Sequence, residues 1–331
     1  VAKLTQLQYE LLPLVELNPH VSVSELARTL RQRTHVIQYA LARLRNDRIL
    51  RPSPLIDGAR LGFLEFTVLM NLVQPTGEAR SRFTKELLRS NRVTWVAELG
   101  GDYRFCAAVN AKNAQELVGI LEGVLLRARV SLHAKQVAVV ESFISFPRKY
   151  LNPRRSPNRS LGFGKQPGPV AIDDRDHLIL GGLLSNNYQS HRDLASQLGI
   201  ALSSMELRIK KLSEIGVIAG FRYVIASHAI GAQFAQIKVV APSLDPKLTR
   251  EVLDWARQHP NVLMFHRLFG AWDYELGVEV HELGQLPPIV DAFTVQFGER
   301  ISAISILPLL IEHTPSAYPF AQLNSNSGER H

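Results

Sequence analysis

The sequence predicts an α+β protein made of two copies of one module, each a three-helix unit followed by a β-α-β-β-α-β sheet. Three observations carry this. Apolar residues recur at helical spacing in three short stretches near residues 5–47 and again near 173–215, strand-like runs alternating with two helix-like runs follow each set, and one shift superposes the halves. At 168 residues, Leu194-Ala195 falls on Leu26-Ala27, Leu198 on Leu30, Ile209 on Leu41, Leu212 on Leu44 and Val217-Ile218 on Ile49-Leu50. Pro315 and Tyr318 answer Pro147 and Tyr150 at the same shift, and Asp273-Tyr274 answers Asp102-Tyr103 at 171.

Residues 1–57 form the first three-helix unit. Thr5 with Gln8 is a capping box for a helix holding Leu7, Leu11, Leu14 and Val15, and Pro13 inside it predicts a bend near Tyr9-Glu10. Ser22 with Glu25 opens the second helix, and Thr34 is expected to cap a third that runs to about Asp47 with Val36, Ile37, Leu41 and Leu44 turned inward. In residues 58–150, strands are expected at 63–73, 93–99, 103–109 and 137–146, and helices at 80–90 and 114–129. Residues 151–171 hold Pro153, Pro157, Pro167 and Pro169 with Arg154, Arg155, Arg159 and Lys165, a composition that resists helix and sheet and reads as a semi-extended linker.

The second three-helix unit spans 172–227. Ile179, Leu180, Leu183 and Leu184 give its first helix a buried stripe, a loop follows at 185–189, and Ser190 three residues before Asp193 caps a second helix that Gly199 ends. Ser203 and Glu206 read as a capping box for the third helix, with Met205, Ile209 and Leu212 inward, Arg208, Lys210 and Lys211 outward, and Gly216 closing it before the wing-like Val217-Ile218. Residues 228–320 repeat the sheet, with strands at 233–240, 262–269, 274–280 and 301–312 and helices at 246–259 and 283–297. That order is the ferredoxin-like split motif. The polar tail 321–331 is expected to fray.

Two short helices joined by a tight turn, the second of them basic, form a winged helix-turn-helix that lays one helix in a DNA major groove. Charge supports the first unit most. Through residue 170 there are 25 Lys and Arg against 13 Asp and Glu, whereas beyond it there are 13 against 17. Around the first recognition helix, Arg28, Arg31, Arg33, Thr34, His35, Gln38, Tyr39, Arg43 and Arg45 are the expected DNA-binding residues, with Arg48 and Arg51 nearby. Arg and Gln read guanine and adenine edges bidentately, while peripheral arginines neutralise phosphates. In the second unit Ser203, Ser204, Arg208 and Lys211 are the candidates, but six basic residues face six acidic ones over 171–226, so the bias that drives non-specific affinity is missing. With 331 residues, 46% of them hydrophobic, the chain can bury more than one core. Its single Cys106 excludes a disulfide framework and suits a reducing cytoplasm. No long apolar span suggests a membrane partner, and no P-loop, metal-ligand spacing or G-x-S-x-G elbow points to an enzyme, a metal or a cofactor.

The run Asp-Arg-Asp-x-Leu-Ile-Leu that opens the second unit, then Leu-Ala-x-x-Leu-Gly, Arg208-Ile-Lys-Lys-Leu212 and Gly216-Val-Ile, resembles the Lrp/AsnC (feast/famine) family of regulators, as does the turn Gly270-Ala-Trp-Asp273-Tyr274. The resemblance covers nearly the whole chain and is weaker in the first copy. There, Ala40 replaces the recognition-helix arginine, Arg33 a serine and Arg48 a glycine, and Gly100-Gly101-Asp102-Tyr103 is one residue shorter. The resemblance implies a sequence-specific transcriptional regulator on double-stranded DNA, sheet domains that pair face to face, and a small effector, often an amino acid, near the glycine-Asp-Tyr turn. The effector residues it implies are Gly270, Asp273 and Tyr274, with Gly100, Gly101 and Asp102 in the first copy, although an aspartate there also serves as a turn residue bonding its own backbone. Two fused modules imply an intrachain pseudo-dimer, with homodimers as a further level of association.

Two other readings use the same fold. Siroheme decarboxylases are enzymes of this two-part architecture, and His266 and Arg267, with His259 and His281, are the residues that would serve such a reading. Alternatively, helix-turn-helix units turned to protein contacts would make the chain a co-regulator without DNA contact, as Pro13 and Ala40 suggest.

Overall fold

The computed structural model describes residues 4–164, 168–185, 190–242, 245–313 and 318–320, so Lys165, Pro167, Pro315, the tail 321–331 and most of the expected loop 185–189 lie outside the described residues. Among the described residues the expected element order occurs twice. Helices α1 (Gln6–Val15), α2 (Val23–Leu30) and α3 (Thr34–Asn46) lead into strand β1 (Arg51–Ile56). The first sheet domain follows as β2 (Leu64–Leu72), α4 (Gly77–Arg89), β3 (Val93–Leu99), β4 (Phe105–Ala111), α5 (Ala114–Ala128) and β5 (Leu132–Ser145). After the linker strand β6 (Leu161–Phe163) come α6 (Asp174–Ser185), α7 (His191–Gln197), α8 (Leu202–Glu214) and β7 (Ile218–Val224). The second sheet domain is β8 (Gln233–Val240), α9 (Pro246–Gln258), β9 (Val262–Gly270), β10 (Tyr274–Val280), α10 (Leu286–Phe297) and β11 (Ala303–His313).

Local chemistry accounts for most helix starts. Thr5 and Gln8 form the reciprocal capping box, and Ser22 and Ser190 accept the amides of Glu25 and Asp193. Two expected caps are corrected. The third helix of the first unit begins one residue earlier than expected and that of the second unit two residues earlier, so Arg33 and Ala201 occupy the N-cap without a side-chain bond, and Thr34, Ser203 and Glu206 lie inside the helices. Pro13 does not divide α1, which runs on to Val15 with Pro13 buried. The linker also departs from expectation: Leu161–Phe163 pairs with Phe143, Ile144 and Ser145 of β5. Gly162 permits this, because a Cβ there would lie 2.1 Å from the Phe143 carbonyl oxygen.

The two sheets join edge to edge inside the chain. β11 leaves β8 at Pro308 and continues along β3, while β5 leaves β2 at Val139 and continues along β9. The neighbours β2-β4-β3-β11-β8-β10-β9-β5, with β5 returning to β2, therefore close a ring of eight strands. Closure removes the exposed edges that two separate four-stranded sheets would leave. Helices α4 and α5 cover the outer face of the first sheet around Phe83, Leu87, Phe105 and Val124; α9 and α10 cover the second around Val252, Phe265, Phe293 and Phe297. Inside the ring lie Leu69, Leu99, Cys106, Val140, Leu268 and Trp272, together with the buried Lys238–Glu275 ion pair.

The helical units exchange their strands. β1 and β7 pair antiparallel, Tyr223 and Ile225 enter the core of the first unit, and Ile56 and Leu61 pack on that of the second. This ribbon ties the two recognition helices, α3 and α8, to one frame.

Candidate nucleic-acid interface

Helix α3 buries Ile37, Ala40, Leu41 and Leu44 against α1 and α2, which obliges the remaining positions to face outward. Arg33, Thr34, His35, Gln38, Tyr39 and Arg43 are all exposed on or beside it, Tyr39 at 71%, and Arg28 and Arg31 stand exposed at the end of α2. The structure thus brings eight of the nine expected residues of the first unit together as a solvent-facing cluster. Arg45 is the exception in role: its Nη2 donates to the Tyr223 hydroxyl at 2.8 Å, so it braces the helix against β7. Arg51, expected nearby, is half-buried in the β1–β7 ribbon opposite Val224.

In the second unit, Ser203 and Lys211 are exposed and Ser204 is half-buried. Arg208 is corrected: Nη1 donates to Oδ1 and Oδ2 of Asp173 at 2.9 and 2.8 Å and to Oδ1 of Asp176 at 2.7 Å. The Asp176 amide, donating to Oδ1 at 2.9 Å, and then Arg208 hold the Asp173 carboxyl below its usual range, while the two aspartates raise the guanidinium, so Arg208 fastens α8 to the start of α6. Arg208→Ala is expected to lower the unfolding midpoint, since it strips the cation from the buried Asp176 carboxylate; an unchanged midpoint in urea unfolding would contradict that role.

The turn residues are built into the fold. Tyr274 lies in the core under α9, with its hydroxyl 2.9 Å from Thr249 Oγ1, which corrects its expected place in an effector site. Asp273 Oδ2 accepts the Ala241 amide at 2.8 Å. Gly270 is exposed with φ 143°, and a Cβ there would lie 2.5 Å from the Val137 carbonyl oxygen, so glycine is required where β9 meets β5. In the first copy the Gly100 amide donates to Pro308 at 2.8 Å, while Gly101 and Asp102 are exposed.

A family profile for winged helix-turn-helix DNA-binding domains matches residues 172–219. The transcriptional regulator AldR of Mycolicibacterium smegmatis is 32% identical over 120 residues, covering 36% of this chain and 70% of AldR. The chain belongs to the Lrp/AsnC family of helix-turn-helix transcriptional regulators. This Lrp/AsnC regulator is also similar to the proline dehydrogenase transcriptional activator of Rhodobacter capsulatus, at 25% identity over 40% of this chain and 82% of that protein. The regulator also shares its fold with the siroheme decarboxylase NirDL, at a TM-score of 0.57 and 12% identity, covering 93% of this chain and 92% of that one. Among the described residues of the regulator, no helix is long and apolar enough to cross a membrane.

What sequence reasoning missed is the bracing role of Arg45 and Arg208, because Tyr223 lies 178 positions from Arg45 and Asp176 lies 32 from Arg208. The aspartates were open to discovery, since Asp173 and Asp176 sit in the motif that itself carries the family resemblance.

Proposed function

We propose that this regulator binds double-stranded DNA sequence-specifically as an intrachain pseudo-dimer, with α3 of the first unit as its principal reading helix. The exposed cluster of Arg28, Arg31, Arg33, Gln38 and Arg43 carries this reading, because it joins phosphate-neutralising charge to base-reading chemistry on one face. The cluster lies among a surplus of basic residues that the second unit lacks. Selection from genomic DNA fragments with the purified chain tests it: one enriched motif is expected, and unselective binding alone would overturn it. Arg28→Ala and Arg31→Ala are each expected to weaken binding across all sequences and to flatten the slope of log K against log salt by about 0.9. Retained slopes in salt titrations of both variants would remove α2 from the phosphate contacts.

A small effector such as an amino acid belongs to the same proposal. Support comes from the exposed turn at Gly270 and from Asp273, whose Oδ2 is bonded to the Ala241 amide while Oδ1 remains to receive an ammonium group. The exposed Gly101 and Asp102 offer the counterpart in the first copy. Repeating the selection with a pool of amino acids tests this part through a shift in apparent affinity.

A decarboxylase-like activity is the second reading, favoured by the fold shared with NirDL across 93% of the chain. His266, on the inner face of β9 with Nδ1 3.6 Å from Glu275, is the group it would employ. Adding a tetrapyrrole and following absorbance and carbon dioxide release separates it from the regulator.

A further inference from the structure

The ribbon between the two helical units is symmetric about its own centre. Ser53 lies opposite Arg222, the counterpart of Pro54 at the 168-residue shift, and Pro54 lies opposite Phe221, the counterpart of Ser53. The recognition helices obey the same shift at both ends, Thr34 answering Leu202 and Asn46 answering Glu214. The frame is therefore that of a two-fold dimer, which presents its two recognition helices to two half-sites.

The chemistry on that frame is not two-fold. Position for position, Glu206 stands where α3 has Gln38, Leu207 where it has Tyr39, and Ser203 where it has His35. All six side chains are exposed, Leu207 at 68%, so neither set is consumed by packing. The position that could have restored a basic reader in α8, Arg208, is held by Asp173 and Asp176, and its counterpart in α3 is the buried Ala40. The side chains left to meet bases thus differ in kind. Glutamine pairs bidentately with adenine, a carboxylate accepts from the cytosine amino group, and an apolar side chain meets the thymine methyl. Within the protein, Glu206 is close enough to His191 at the start of α7 to influence it, and the exposed Lys210 and Lys211 follow Glu206 on α8.

We propose that the operator consists of two half-sites of different sequence, Gln38 selecting adenine in the half beneath α3 and Glu206 selecting cytosine in the half beneath α8, so that the chain binds with one fixed polarity. This rests on the DNA-binding reading above. A single chain makes such polarity available, because two identical subunits cannot place different residues on the two half-sites.

The test is a selection from random-sequence duplex DNA with the full chain, Gln38→Ala and Glu206→Gln, each first checked for an unchanged thermal midpoint. For the unsubstituted chain a bipartite, non-palindromic motif is expected. Gln38→Ala should lose about 10-fold or more of the adenine preference in one half only, and Glu206→Gln should move the other half from cytosine towards adenine by a similar factor. A palindromic motif, or a motif in which Glu206→Gln changes nothing, overturns the inference and leaves the regulator standing. The absence of any enriched motif overturns both.

Discussion

Replacing Arg148 with alanine is expected to cost about 3–5 kcal/mol of unfolding free energy, the range for removing one partner from a buried ion network. Arg148 follows β5 and is buried together with both of its carboxylate partners. Its Nε and Nη2 donate to Glu279 at 2.7 and 3.1 Å, its Nη1 and its backbone amide donate to Glu16, and Nη2 also donates to the Ile225 carbonyl at 2.8 Å. Tyr150 adds a hydroxyl bond to Glu279 at 2.7 Å. Glu16 caps α1 of the first helical unit and Glu279 lies in β10 of the second sheet domain, so one guanidinium fastens a DNA-binding unit to the sheet ring. Without it two buried carboxylates face each other, and neither reaches water. Arg148→Lys is expected to fall between, since an ammonium keeps the charge and loses the planar fork. Urea unfolding followed by circular dichroism checks both, and an alanine variant within 1 kcal/mol of the unsubstituted chain (an ~5-fold change in equilibrium constant) would show that the network is dispensable.

The same network sets a pH dependence. Burial, opposed by Arg148, pushes the Glu16 carboxyl up from 4.5 to about 7, and burial with help from Glu275 does the same to Glu65. A carboxyl raised on folding binds its proton more tightly in the native state. Its contribution to stability is therefore fully present below about 4.5, falls as pH rises to about 7 and stays level above. His177, His191, His259 and His266 oppose this, because burial lowers each of them below 6.5 and their effect erodes stability as pH falls. The difference between two chains isolates Glu16. Glu16→Gln, which keeps the shape of the protonated form, is expected to gain on the unsubstituted chain as pH rises from 4.5 to 7, by on the order of 3 kcal/mol at full ionisation. Parallel stability curves across that window would mean that folding leaves the proton affinity of Glu16 unchanged and would refute the argument.

What the sequence by itself determined is local. Periodicity and caps gave β3, β8 and β10 their observed bounds, the apolar faces of α3 and α8, and the repeat that makes the two modules commensurate. The exposed basic cluster of the first unit was legible for the same reason, since burying Ile37, Leu41 and Leu44 fixes which way Arg33, Gln38 and Arg43 point. Only the tertiary structure decided which polar groups are consumed. Arg45 and Arg208 look alike from their spacing on a helix, yet Tyr223 takes one and Asp173 with Asp176 the other. Strand β6 forms because β5 extends past the end of β2 and offers an open edge, a circumstance that the linker's prolines do not reveal. The two joints that close the ring, β3 with β11 and β5 with β9, and the bonds of Arg148 to Glu16 and Glu279 join residues that lie more than a hundred positions apart, and their pairing depends on where two whole modules meet. Side-chain pattern specifies which face of an element is buried, while the choice of neighbour across an edge or an ion pair is settled by the geometry of assembly, because backbone edges and charges accept any partner of the right chemistry that the fold brings within reach.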